Sequence, residues 1–131
     1  MAKRILVVDD DPAVRDSVAM VLEGAGFVVD QAEQGATGMR LLRAHAPDLI
    51  ITDILMPQKE GIETIREIRE VLPHTPIIAI SGGTDGGADY LKMAESFGAT
   101  AVMAKPFDPT VMLKLVHRLI YGRDVSATAP R

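Results

Sequence analysis

Five polar residues stand where four short apolar runs stop. Ile5–Val8 runs into Asp9-Asp10, Leu49–Thr52 into Asp53, Ile77–Ile80 into Ser81, and Ala101–Ala104 into Lys105. Carboxylates bind hard divalent cations, while a hydroxyl and an ammonium can neutralise or bond phosphoryl oxygens. The set therefore suits a divalent metal and a transferable phosphate, provided the chain brings its members together. It does so if the four runs are parallel strands of one sheet. Open α/β sheets bind their ligands beyond the carboxyl ends of the strands, and all five residues would arrive at that edge.

Each residue taken singly has a structural explanation. Asp9-Asp10-Asp11 reads as a solvated strand-to-helix turn, and capping of the next helix accounts fully for Asp11. Asp53 could open a loop, Ser81 could belong to the turn with Gly82-Gly83, and Lys105-Pro106 could end a strand. These explanations fail jointly. Independent turns have no reason to put carboxylates, a hydroxyl and an ammonium on one edge in this order.

The elements that must position them follow from periodicity. Runs of four to six apolar residues alternate with stretches of helical period, the signature of an α/β fold with a parallel sheet. A first helix is predicted over Pro12–Ala25, with Val14, Val18, Val21 and Leu22 inward, Asp11 as cap and Gly26 as stop. Phe27–Ala32 is a strand and Ala36–Ala44 a helix. The third strand ends at Asp53, and a third helix starts near Gly61 and stops before Pro73. A fourth helix is expected over Ala88–Phe97, with Tyr90, Ala94 and Phe97 as its core stripe. The fifth repeats the first helix's start with Asp108 and Pro109, and turns Val111, Leu115, Val116 and Leu119 inward.

Composition sets the bounds. A chain of 131 residues with 47% hydrophobic content fits one domain with a real core. It has no cysteine, which removes disulfides, thiolate metal sites and cysteine nucleophiles and agrees with a cytoplasmic location. A net charge of -4 argues against a nucleic-acid-binding domain. No apolar run approaches the ~20 residues that cross a bilayer. Residues 122–131 are small and polar, so they read as a flexible tail after a single domain over 1–121.

Four segments then carry a resemblance: Ile5-Leu6-Val7-Val8-Asp9-Asp10, Asp53-Ile54-Leu55-Met56-Pro57 with Gly61, Ser81-Gly82, and Lys105-Pro106-Phe107. In this order and at these separations they are highly specific. The chain resembles the receiver domain of two-component response regulators along Lys3–Tyr121. The resemblance implies a doubly wound, flavodoxin-like α/β fold: five parallel strands in the order 2-1-3-4-5, with five helices. It implies that Asp53 is the phosphoacceptor, and that Asp10, Asp53 and the backbone carbonyl of Leu55 hold Mg2+, with Asp9 acting through water. Lys105 would pair with one phosphoryl oxygen and Ser81 would bond another. Lys105-Pro106 would be a cis bond.

The chain departs from the family pattern at Val102, three residues before the lysine, where an aromatic switch residue is usual. A valine has no ring to swing. Readout is therefore expected to run from Ser81 through Gly82 and Gly83, in a loop with four glycines among six residues, towards Leu91. His45, His74 and His117 lie outside the set, and His117 is expected on a solvated face.

The expected function is that of a stand-alone receiver. A histidine kinase or phosphotransfer protein would phosphorylate Asp53, and the change would alter a surface for a downstream protein. The chain would be a monomer or weak dimer without nucleic-acid or membrane partners. It would not be an enzyme beyond catalysing its own phosphorylation and dephosphorylation. A fragment of a longer regulator or hybrid kinase would read the same way. An interaction module indifferent to phosphate is the nearest alternative, and intact Asp10, Asp53 and Lys105 argue against it. A hydrolase of small phosphates would need a second acid/base aspartate near Asp53, where the next two residues are apolar.

Overall fold

The computed structural model describes residues 2–54, 60–81, 92 and 94–122. In chain order the elements are β1 (Arg4–Val8), α1 (Pro12–Gly24), β2 (Val28–Ala32), α2 (Gly35–Ala44), β3 (Leu49–Asp53) and α3 (Glu60–Val71). They continue with β4 (Ile77–Ser81), α4 (helical at 92 and 94–97), β5 (Ala101–Ala104) and α5 (Pro109–Tyr121). All pairings are parallel and the strand order is β2-β1-β3-β4-β5, as expected.

Successive strand residues point to opposite faces, and each face has its own helices. Ile5, Val7, Leu49, Ile51, Ile78 and Ile80 pack with Val18 and Leu22 of α1 and with Met112 and Val116 of α5. Leu6, Val8, Ile50, Ile77 and Ala79 pack with Met39 and Leu42 of α2, with Ile62, Ile65 and Ile68 of α3, and with Ala94 of α4. Every residue of β3 and β4 is buried. Such strands read as unbroken apolar runs because neither face meets water.

Local chemistry fixes the helix ends. Asp11 accepts from the Ala13 N–H at 3.0 Å and Asp108 from the Thr110 N–H at 2.7 Å, each followed by proline in the first turn. At the end of α1, the Phe27 N–H donates to Leu22 O and the Gly26 N–H to Glu23 O, with Gly26 at φ +97°. The end of α4 repeats this pattern. Ala99 donates to Ala94 O and Gly98 to Glu95 O, with Gly98 at φ +123°. Both satisfy helix-terminal carbonyls by a left-handed turn that glycine tolerates.

Several inward assignments change. Phe97 is 39% exposed and lies under the Arg66 guanidinium at 5.5 Å instead of entering the core. Val111 is 56% exposed, and its neighbour Met112 takes the buried position. Met20 of α1 is exposed as well. His117 is half-buried, 5.5 Å from the rings of both Phe27 and Tyr121, rather than solvated. Tyr90 and the expected tail from residue 123 onward lie outside the described residues.

Candidate functional site

The register brings the strand ends level. Val8 lies opposite Thr52, so Asp9 stands beside Asp53. Asp53 lies opposite Ile80 and Ser81 opposite Ala104, so Ser81 and Lys105 each come one residue later across the sheet. Beyond the strands, the Asp9 N–H donates to Ala32 O at 3.0 Å and the Lys105 N–H to Ser81 O at 2.8 Å. These bonds carry the regular backbone a residue further and hold the side chains at the edge.

Asp9, Asp10 and Asp53 converge, each offering a carboxylate oxygen within 4.8 Å of the others. Asp9 and Asp53 are buried while Asp10 is exposed. Lys105 reaches across from the far side of β4. Its Nζ lies 3.0 Å from Asp9 Oδ2 and 2.8 Å from Asp53 Oδ2. Lys105-Pro106 is a cis bond.

Burial pushes the Asp9 carboxyl above the ordinary aspartate range, and the charge of Asp53 adds to that rise. The Asp11 N–H at 2.9 Å and Lys105 oppose it without cancelling it. For Lys105, burial works against the charged form. The hydrogen bonds to Asp53 and Asp9 outweigh it, so the ammonium holds its proton above the ordinary lysine value. A like-charge pair thus stays together at the sheet edge through one shared cation.

Ser81 arrives at the same edge but is not drawn into the cluster. Its buried Oγ has no hydrogen-bond partner among the described residues. Strand parity explains this: Ser81 follows Ile77 and Ala79, which pack on the α2–α3 side of the sheet. Val102 is half-buried against that same cluster. Leu55, Gly82, Gly83 and Leu91 lie outside the described residues.

Arg15 is a participant that the sequence does not announce. Its Nη1 donates to the Asp9 carbonyl at 2.7 Å and its Nε to Gln31 Oε1 at 3.2 Å. An arginine six residues after Asp9 carries no special spacing, and nothing in the pattern separates it from the other basic residues. A groove of about 470 Å3 also opens beside the cluster, lined by Ala13, Val14, Ser17, Val21, Pro106 and Phe107 among others and sharing Lys105 with it.

The family model of the response regulator receiver domain matches residues 5–117. The chain belongs to that family. Among curated relatives, the receiver is 35% identical over 113 residues to chemotaxis protein CheY of Halobacterium salinarum, covering 86% of this chain and 92% of that one. It is 34% identical over 128 residues to response regulator Rre1 of Synechocystis, covering 95% of this chain but 54% of that one. Among solved structures, a CheY-like receiver domain protein from Methanospirillum hungatei superposes with a TM-score of 0.84 at 28% identity, covering 92% of this chain and 94% of that one. The receiver therefore spans nearly all of some relatives and about half of others. Receiver domains of response regulators are signalling domains that act between histidine kinases and downstream targets. Among the described residues, no helix is long and apolar enough to cross a membrane.

Proposed function

We propose that this receiver accepts a phosphoryl group onto Asp53 from a histidine kinase or phosphotransfer protein, with Mg2+, and thereby changes its affinity for a downstream protein. The observation that carries this reading is the shared ion pair: Lys105 Nζ between Asp9 and Asp53, with the Asp10 carboxylate alongside. The donor set fits magnesium, being oxygen-only and carboxylate-rich at a strand edge. Asp10 and Asp53 would hold the ion, with Asp9 behind them. When bound, the ion neutralises charge on the phosphoryl oxygens.

The transfer itself uses this chain's residues. An Asp53 carboxylate oxygen attacks phosphorus as the nitrogen–phosphorus bond of a phosphohistidine breaks, and the departing imidazole keeps that electron pair. Lys105 is placed to follow the charge from the Asp53 carboxylate to a phosphoryl oxygen. Its raised pKa supports a charged ammonium throughout the physiological range. Ser81 Oγ is buried and unpartnered among the described residues, and it would have to turn from the α2–α3 face towards Asp53 to donate to another phosphoryl oxygen. Because positioning and charge are supplied by the receiver, a small donor such as acetyl phosphate should serve in place of a kinase. Water attacking the same phosphorus would reverse the modification.

Incubation with acetyl phosphate and Mg2+ should add the mass of one phosphate to the intact protein. Asp53→Asn should accept none, and chelation should abolish labelling of the unaltered receiver. Equal labelling of receiver and variant would overturn the assignment.

A further inference from the structure

We infer that Arg15 is a positioning residue for the Asp10 arm of the acidic cluster, acting through the peptide that joins Asp9 to Asp10. The inference rests on the reading of that cluster as a magnesium and phosphoacceptor centre.

Asp9 is held at every polar atom it has. Its N–H donates to Ala32 O, Oδ1 accepts from the Asp11 N–H, and Oδ2 accepts from Lys105. Its carbonyl accepts from Arg15 at 2.7 Å. Asp10 has none of this support. It is exposed, and among the described residues its carboxylate has no hydrogen-bond or ion-pair partner. Where that carboxylate lies is set by the backbone that carries it. The Asp9 carbonyl and the Asp10 N–H belong to one rigid planar group, so fixing the carbonyl fixes the plane from which Asp10 departs.

Arg15 is suited to the task because it is anchored elsewhere. Its Nε donates to Gln31 on the edge strand β2, which lies opposite Val7 of β1. The guanidinium fork thus ties the first turns of α1 and the end of β1 to β2. A planar fork keeps its geometry where a lysine ammonium would pivot. Groups that orient a ligand, without touching the ion, commonly set metal affinity by about tenfold or more.

The test uses the whole chain and three variants: Arg15→Met, Arg15→Lys and Gln31→Met. Calorimetric titration with Mg2+ gives the dissociation constant, and amide exchange at Asp10 and Asp11 is followed in chelator. Arg15→Met should weaken Mg2+ binding by about tenfold and quicken exchange at both amides, with Asp53 still labelled by acetyl phosphate at saturating Mg2+. Gln31→Met should have a smaller effect in the same direction. Arg15→Lys, which keeps the charge but loses the fork, should recover less than half of the lost affinity. Wild-type affinity in Arg15→Met, or full recovery in Arg15→Lys, would overturn the positioning role while leaving the function proposed above intact. A lower melting temperature with unchanged Mg2+ affinity would also overturn it, since Arg15 would then serve the fold alone. If the unaltered chain neither bound Mg2+ nor took phosphate on Asp53, the functional reading would fall and this inference with it.

Discussion

At the scale of single residues, Lys105 decides how the cluster behaves with pH. Two carboxylates within 4.8 Å repel by about 3 kcal/mol at an effective dielectric near 20. Lys105 lies within 3.0 Å of both and offsets much of that. Removing one partner from such a set costs more than the set contributes, because a buried charge is left behind. The raised pKa of Asp9 means that the folded state binds its proton more tightly than the unfolded chain does. Protonation therefore favours the fold: this contribution is fully present below the ordinary aspartate pKa and is lost as pH rises through the raised one. The contribution of Lys105 is fully present below the ordinary lysine pKa of ~10.4 and disappears as pH climbs through its higher folded value. In chelator, the melting temperature of the receiver relative to Asp9→Asn should therefore improve as pH falls through the raised Asp9 value towards ~4. Relative to Lys105→Met, its advantage should vanish only above pH ~10.4. A receiver whose margin over Asp9→Asn shrank on acidification would contradict the sign of the Asp9 shift.

At the scale of elements, sequence and structure agree where burial is two-sided and part where it is not. The strands predicted at Leu49–Asp53 and Ala101–Ala104 are found within those same bounds, because an unbroken apolar run stops sharply at a charged or proline-flanked residue. Asp9, Asp53 and Lys105 were legible for the same reason: each ends such a run. Helix phase was less legible. Val111 and Met112 are both apolar, and a 3.6-residue period over one short helix allows either to face inward. Phe97 lies off the core stripe, with the Arg66 guanidinium 5.5 Å from its ring. Arg15 and Arg69 are not legible because each has backbone carbonyls among its partners, and no side-chain pattern records those. Arg69 donates to the carbonyls of Leu72, Thr75 and Gly98, joining the end of α3 to the turn after α4. This makes Gly26 and Gly98 unequal. A Cβ at Gly26 would meet nothing within 4 Å, whereas one at Gly98 would stand 2.8 Å from Arg69 Cγ. Gly26→Ala should cost only the left-handed backbone strain, about 1–3 kcal/mol. Gly98→Ala should cost clearly more in urea denaturation, since it also displaces Arg69 from its carbonyls. Equal losses would mean that Arg69 yields without consequence.

At the scale of the whole molecule, the site sits on the strands that hold the fold together. β1 and β3 carry Asp9 and Asp53 and occupy the middle of the sheet, with a core on each face. Anything that binds at their ends should be felt as global stability rather than as local ordering. A ligand present at a hundredfold excess over its dissociation constant stabilises the folded state by about 2.7 kcal/mol. For a chain of 131 residues that corresponds to a rise of about 10 °C in melting temperature. Mg2+ at such an excess should produce a single transition shifted by that order. Asp10→Asn separates the two parts of the effect. Asp10 is exposed and supports no ion pair among the described residues, so its loss removes repulsion without orphaning Lys105. In chelator, Asp10→Asn should melt above the unaltered receiver. On adding Mg2+ the order should reverse or the gap should close, because the variant lacks an oxygen proposed to hold the ion. A Mg2+ shift as large in Asp10→Asn as in the unaltered receiver would place the ion elsewhere on the surface. A variant that melted lower in chelator would show that the three carboxylates do not strain the metal-free fold.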